Sequence, residues 1–221
     1  MGAAIGQTMG YAIGVAISPV PIIAVILMLF TPKAKTNSVA FLAGWLFGLL
    51  AVGTIVLLAD VATGDGSESS SSGTLKVVLG VLFLGLAAKN WRSRPAPGEA
   101  PAMPSWMASI DGFTPAKSFG LAAVLSGVNP KNLALAVAAA ASISATSLSQ
   151  GDQFVVLAAF VALASWTVAL PVAVYLVMGS RADEVLTTWK NWLTANNATV
   201  MMILFVVFGV KLLGDGLGIL S

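Results

Sequence analysis

The sequence contains no cysteine and no histidine, and few of its residues carry a charge. The first two absences exclude disulfides, thiol chemistry, histidine-based metal sites and the nucleophile pairs of common hydrolases. Charged residues make up 9% of the chain and hydrophobic residues 57%, and the mean hydropathy of +0.92 exceeds that of soluble domains. We therefore expect a protein that lies within a lipid bilayer and is not an enzyme, with no catalytic residues, no cofactor and no metal site.

Hydrophobic stretches long enough to cross a bilayer occupy most of the chain. A transmembrane helix needs about 20 apolar residues, whereas membrane strands are about half as long and alternate in polarity. The observed lengths therefore predict an all-α, polytopic membrane protein with six transmembrane helices. We place these spans at residues 5–30, 38–59, 74–91, 118–145, 154–178 and 199–219.

Basic residues lie at the ends of the predicted spans rather than in one patch, which argues against nucleic-acid binding. Connections one, three and five carry most of the lysines and arginines, whereas the second and fourth carry acidic residues. Positive charge is retained on the cytoplasmic side of inner membranes. We therefore expect those three connections to be cytoplasmic and both termini to be external.

The third connection, residues 92–117, is expected to be a cytoplasmic linker that joins the two halves of the chain. It begins as an extended, proline-rich segment and ends in an amphipathic one. The residues expected to lie on the membrane surface are Trp106, Met107, Ile110 and Phe113. A similar surface helix is predicted at residues 181–196. Its lipid-facing residues would be Trp189, Trp192 and Leu193.

Each half of the chain contains one hydrophobic stretch that proline interrupts. The first span contains Pro19 and Pro21, and the fourth contains Pro130. Proline inside a helix removes a backbone hydrogen bond and costs about 3 kcal/mol. We therefore expect helices 1 and 4 of the six to be broken at these positions.

Both breaks are predicted to lie at the same depth in the membrane. Pro19 lies 12 residues before the cytoplasmic end of span one, and Pro130 lies 12 residues after the cytoplasmic start of span four. Each distance is about 18 Å along a helix. With three spans in each half, the second half must cross the membrane upside down. The sequence thus predicts two inverted three-helix repeats, residues 1–91 and 118–221.

Matched broken helices in inverted halves indicate the substrate site of a transporter. The predicted substrate-binding residues are Ser18, Pro19, Pro21, Asn129, Pro130, Lys131 and Asn132. Half-helix N-termini favour an anion, and Lys131 adds a positive charge near the bilayer centre. We favour anion binding by Lys131 over the alternative, in which its ammonium pairs with a carbonyl at the break. Lys211 and Asp215 are secondary candidates, for which snorkelling of Lys211 or an ion pair between them is the preferred interpretation.

Two segments resemble the signatures of a known family. They are SPVPIIAVILMLFTPKAKTNSVAFLAGW, around the first break, and SGVNPKNLAL, around the second. Both are similar to the peptidoglycolipid-addressing (GAP) family within the lysine-exporter (LysE) superfamily, which has six spans in two repeats. The residues that match its Pro-x-Pro and Asn-Pro-Lys elements are Pro19, Pro21, Asn129, Pro130 and Lys131. Amino-acid exporters of the superfamily carry Pro-Gly-Pro where this chain has Pro-Val-Pro, which argues against an amino-acid substrate.

The resemblance implies a protein of a bacterial inner membrane that brings a cell-envelope glycolipid to the outside. We therefore predict a transporter that exports or flips a lipid-linked or amphipathic anionic substrate. The alternatives are a small-solute exporter, for amino acids or organic anions, and an accessory subunit of a lipid-export complex. The expected partners are membrane lipids and the anionic substrate, and a homodimer or an assembly with envelope lipid-export machinery is left open.

Overall fold

A computed structural model describes residues 1–63, 70–92 and 104–220 of the chain. These ranges form eight α-helices and two short 3-10 helices, and they contain no strand. The α-helices are α1 (Gly2–Ala16), α2 (Pro19–Leu29), α3 (Ala34–Thr63), α4 (Ser70–Arg92), α5 (Pro115–Gly127), α6 (Pro130–Ser144), α7 (Gln150–Met178) and α8 (Ala182–Leu220). The 3-10 helices are Ser105–Gly112 and Gly179–Arg181.

Four helices, α3, α4, α7 and α8, are individually long and apolar enough to cross a bilayer. The pair α1 and α2 and the pair α5 and α6 qualify only when each pair is taken as one span. These pairs bend by 55° and 62° at their breaks. The chain is thus a polytopic all-α membrane protein with four to six spans, and the two predicted broken helices are confirmed.

Proline determines where the second helix of each pair begins. Pro19 is the first residue of α2, and Pro130 is the first residue of α6. Proline suits this position because the first N–H of a helix has no helical acceptor, and the fixed φ of proline is already helical. The chain therefore interrupts each span at the residue before the proline, Ser18 or Asn129.

The two halves make corresponding contacts. Helix α1 packs on α7 as α5 packs on α3, and α2 packs on α7 as α6 packs on α3, while α4 and α8 pack on each other. This pattern is typical of two structural repeats. Helix α1 also packs on α6, whereas α2 and α5 make no comparable contact in the described ranges. The repeat boundaries at residues 1–91 and 118–221 stay a prediction.

Helices α4 and α8 approach closely because glycines face each other across their contact. A Cβ atom on Gly80 would lie 2.9 Å from the carbonyl oxygen of Gly209, and one on Gly209 would lie 3.2 Å from that of Gly80. Side chains at these two positions would push the helices apart. Small residues serve this purpose in membrane bundles, where close packing drives helix association.

The prediction that Trp106, Met107, Ile110 and Phe113 lie on the membrane surface is wrong for Met107 and Ile110. Met107 and Ile110 are only 7% and 2% exposed, and Trp106 and Phe113 pack against the same apolar core. The segment forms the first 3-10 helix and contacts α2. An amphipathic pattern shows that one face needs an apolar partner, but not whether that partner is lipid or protein. Residues 93–103 of the predicted linker lie outside the described residues.

The predicted surface helix at residues 181–196 is also wrong as a separate element. Helix α8 runs without interruption from Ala182 to Leu220 and includes the predicted sixth span. No proline or glycine occurs between residues 182 and 208 that would end the helix. Its 39 residues extend for about 58 Å, well beyond the thickness of a bilayer core.

Candidate functional site

The break between α1 and α2 is held by a side chain from the other half of the chain. The Lys131 ammonium donates to the carbonyl oxygens of Gly14 at 2.8 Å and Ile17 at 3.0 Å, and to Ser18 Oγ at 2.6 Å. Lys131 is 3% exposed. An ammonium has three protons, and here each of them has a protein acceptor. Lys131 therefore caps the C-terminal end of α1.

This geometry matches the alternative interpretation of Lys131, in which the ammonium pairs with carbonyls exposed by the break. An anion at this position would have to replace at least one of the three hydrogen bonds. Anion binding by Lys131 therefore stays a prediction, which now requires the break to rearrange.

Other side chains complete the hydrogen bonding at the end of α1. Thr167 Oγ1, from α7, donates to the Ala16 carbonyl at 2.6 Å. Ser18 Oγ lies 2.7 Å from the Val15 carbonyl oxygen. The last carbonyls of a helix have no helical donors, and buried ones need partners from elsewhere. The broken end of α1 is thus closed by residues from α6 and α7.

Asn132 links the two breaks. Its Nδ2 donates to the carbonyl of Leu125, near the end of α5, at 2.9 Å, and its Oδ1 lies 3.2 Å from Ser18 Oγ. The side chain of Asn129 accepts a hydrogen bond from the Lys131 backbone N–H at 3.1 Å and so caps the start of α6. The structure therefore brings Ser18, Lys131 and Asn132 together.

The three predicted prolines lie at the starts of the second helices of the two breaks, and their contact with a substrate stays a prediction. Pro19 and Pro130 begin α2 and α6, and Pro21 lies buried in the first turn of α2. The sequence analysis missed Thr167 because a single threonine within an apolar span carries no distinguishing signal. Its role depends on α7 packing beside the end of α1.

A cavity of about 700 Å³ lies at the end of the bundle where α1 and α4 begin and α6 and α8 end. The charge pattern predicts that this end is external. Uncharged polar side chains that line the cavity are Gln7, Tyr11, Ser142, Thr146 and Ser147. The charged residues of the lining are Lys76, Lys211 and Asp215. The cavity is therefore polar, and the described part of its lining contains two positive side chains and one negative.

Lys211, Asp215 and Tyr11 form one cluster in this cavity. The Lys211 ammonium lies 2.6 Å from Asp215 Oδ2 and 4.7 Å from the centre of the Tyr11 ring. The Tyr11 hydroxyl donates to the same carboxylate oxygen at 2.8 Å. The side chains of Lys211 and Asp215 are 37% and 34% exposed, so both can reach a ligand. The preferred interpretation of these two residues, an ion pair four residues apart on one helix, is confirmed.

Among the described charged residues of this cavity, Lys76 was not predicted as a site residue. It is 6% exposed and lies six residues after the first residue of α4. Its position just after a polar connection made it look like a residue at the end of a span. Only the packing of α4 on α8 brings it to the same cavity as Lys211.

The chain matches a known protein family. The family model described as "Sap, sulfolipid-1-addressing protein" matches residues 9–218. No curated protein and no solved structure matches the chain. The matched range contains both breaks and all three charged residues of the cavity. Because the model matches almost the whole sequence, the chain belongs to the family of sulfolipid-1-addressing proteins.

Proposed function

We propose that this membrane protein translocates an anionic lipid of the cell envelope and that the cavity of about 700 Å³ receives the lipid headgroup. The observation that carries the proposal is that Lys76 and Lys211 line the same polar cavity as Asp215 and Tyr11. Charged side chains inside a membrane are costly, so they usually mark a pathway or a binding site. Two ammonium groups with neighbouring hydroxyls suit a sulfate or a phosphate.

The size and lining of the cavity favour a headgroup larger than one amino acid. Ligand pockets range from about 300 to 1,000 Å³, and this cavity lies in the upper half of that range. Hydroxyl groups of Tyr11, Ser142 and Thr146 can exchange hydrogen bonds with sugar hydroxyls beside an acidic group. A sulfated or phosphorylated glycolipid headgroup fits these features better than a small solute.

The capped break is proposed as the gate below the cavity. Tyr11 precedes Ser18 by seven residues, so about 10 Å of α1 separates the cavity lining from the break. Opening a path there requires α1 to exchange its hydrogen bonds with Lys131 and Thr167 for bonds to substrate or water. This role gives Lys131 and Asn132 a part in transport without a permanent contact to the substrate.

The assignment of the protein to a branch of a superfamily, to a particular membrane and to a topology is also a proposal. The family match supports a lipid-addressing protein, and the Pro-x-Pro and Asn-Pro-Lys elements support the GAP branch of the lysine-exporter superfamily. The distribution of basic residues supports a bacterial inner membrane with both termini external. Outward transport is part of the proposal and rests on the resemblance to that branch, which brings a lipid to the outside.

Lipid exchange in liposomes tests the proposal. The purified protein is reconstituted with a fluorescent sulfated glycolipid, and the fraction that a membrane-impermeant quencher reaches is followed over time. We expect the wild type to equilibrate the probe, and Lys76→Gln and Lys211→Gln to slow exchange by about tenfold or more, since each removes a charged contact. Lys89→Gln is the matched control because Lys89 is exposed at the other end of α4.

Other results of the liposome experiment would refute the headgroup site or favour one of the alternative functions. Exchange that is unchanged in both cavity variants would refute the headgroup site. Transport of free amino acids or organic anions without lipid exchange would favour a small-solute exporter. Saturable binding of the glycolipid without exchange would favour an accessory subunit of a larger export complex.

A further inference from the structure

We propose that a groove between α7 and α8 binds one acyl chain of a lipid from the adjoining leaflet. The groove has a volume of about 310 Å³ and lies on the opposite side of the break from the polar cavity. The proposal concerns a second site with different chemistry. It extends the proposed function from the lipid headgroup to its chain, but it does not depend on the headgroup site.

Three helices build the groove. Ile22, from α2, forms its floor. Leu170 and Trp166 stand on the α7 side, and Trp189 and Leu193 stand on the α8 side. Helices α7 and α8 both pack on α2 but make little contact with each other. The groove is therefore open sideways, between two helices that cross the membrane.

The exposure of the lining residues indicates what fills the groove. Trp166 and Trp192, at its rim, are 56% and 58% exposed, whereas Ile22 is 8% exposed. The accessible lining is almost entirely apolar. Within the hydrocarbon region the surrounding solvent consists of acyl chains, and water gains no hydrogen bonds in an apolar groove. A flexible hydrocarbon chain is the ligand whose shape and polarity match this space.

A positive charge lies where the polar end of such a lipid would be held. Lys190 follows Trp189 on α8, and its ammonium lies 5.9 Å from the centre of the Phe30 ring, just after the end of α2. Phe30 is eight residues beyond Ile22, about 12 Å along the chain toward the predicted cytoplasmic side. A lipid with its chain against Ile22 would thus have its phosphate or sulfate near Lys190.

Thr167 connects the groove to the break. It lines the groove, and its hydroxyl donates to the Ala16 carbonyl at the end of α1. A chain that enters the groove therefore meets one of the groups that hold the break closed. A lipid chain bound in the groove therefore lies beside a hydrogen bond of the gate proposed above.

Photochemical labelling of the full-length protein in nanodiscs tests the proposal. The nanodiscs consist of phosphatidylcholine with a small fraction of phosphatidylcholine that carries a diazirine in its acyl chain. After irradiation, the labelled residues are located by mass spectrometry. We expect labelling of residues 166–171 and 188–193 to saturate with increasing probe and to exceed that of Val177, although Val177 is 85% exposed.

Two variants that fill the groove from opposite sides accompany the wild type. We expect Leu170→Trp and Leu193→Trp each to reduce labelling of the groove by about tenfold, since the space for several methylene groups is lost. Leu176→Trp adds the same bulk to α7 at an exposed position outside the groove and should leave labelling unchanged.

Three results would overturn the proposal. Labelling could follow exposure alone along α7 and α8, it could persist unchanged in both groove-filling variants, or the groove could be covered by a second copy of the chain, seen as protein cross-links in place of lipid adducts. The probe has no net charge, so Lys211→Gln should not alter its labelling. Failure of the acyl-chain site can thus be distinguished from failure of the headgroup site.

Discussion

The buried ammonium of Lys131 connects the two halves of the molecule. Its three acceptors, Gly14, Ile17 and Ser18, lie at the end of α1 and in the break that follows it, whereas Lys131 is the second residue of α6. A positive charge inside a membrane requires either a ligand or protein acceptors. Here backbone carbonyls freed by the break accept hydrogen bonds from the ammonium. These bonds offset both the free-energy cost of burying the charge and that of interrupting the helix.

Replacing Lys131 tests this mutual dependence. We expect Lys131→Met to lower the free energy of unfolding by about 1–3 kcal/mol, because buried carbonyls lose their donors, partly offset by removal of a buried charge. Thermal unfolding in detergent measures the change. Lys131→Arg should not restore full stability, because a planar guanidinium cannot meet three converging acceptors as an ammonium does. Unchanged stability of Lys131→Met would show that capping of α1 is not its role.

The carboxylate in the polar cavity provides a second prediction. Asp215→Asn removes the negative charge that lies 2.6 Å from the Lys211 ammonium. We expect the variant to bind inorganic sulfate more tightly than the wild type and to lose more of that affinity on addition of salt. Stability should fall by no more than about 1 kcal/mol, because the ion pair is partly exposed. Calorimetric titration measures the affinity, and weaker sulfate binding would contradict the prediction.

Proline and glycine affect the helices of this protein in different ways. Proline determines where α2 and α6 begin, and glycine determines how closely α4 and α8 approach. These effects differ in range. Proline acts on its own backbone, whereas the effect of a glycine depends on the helix that packs against it.

Substitutions at two glycines of α4 distinguish the effect of helix packing on stability from the effect of helix propensity. A Cβ atom on Gly80 would lie 2.7 Å from Leu213 Cγ, whereas one on Gly85 would meet no atom within 4 Å. We expect Gly80→Val to destabilise the protein by about 1–3 kcal/mol through overpacking. Gly85→Val should be nearly neutral or slightly stabilising in the same thermal unfolding assay. Equal changes in stability at both positions would show that helix propensity, rather than the contact with α8, determines the effect.

The complete bundle places a polar cavity and an apolar groove on opposite sides of one capped break. The cavity lies between the ends of α1, α6 and α8, and the groove lies between α2, α7 and α8. Such an arrangement suits an amphipathic substrate, whose two ends require different surroundings. The charge pattern predicts that the cavity lies on the external side of the membrane.

Labelling of introduced cysteines determines that orientation, because the native chain contains none. Ser147 lines the polar cavity, and Glu184 lies near the start of α8 at the other end of the bundle; both are exposed. We expect a membrane-impermeant maleimide to label Ser147→Cys in intact cells, and Glu184→Cys only after the cells are opened. The reverse pattern would place the lysine cavity on the cytoplasmic side and would contradict the predicted topology.

Local features of this protein were determined by the sequence alone. The lengths of the apolar stretches predict the membrane helices, and Pro19 and Pro130 predict the two breaks, because a missing N–H acts wherever the proline stands. The ion pair between Lys211 and Asp215 was predictable for the same reason. Residues four apart on a helix face each other regardless of the rest of the fold.

Only the tertiary structure decided which distant groups meet. The acceptor Gly14 lies 117 residues from Lys131, and Thr167 lies 151 residues from the carbonyl that it caps. Lys76 joins Lys211 only because α4 packs on α8, and Met107 and Ile110 are covered by protein rather than lipid. An apolar face or a buried charge requires a partner on physical grounds, but several partners satisfy the same requirement. The packing of the helices selects one of them.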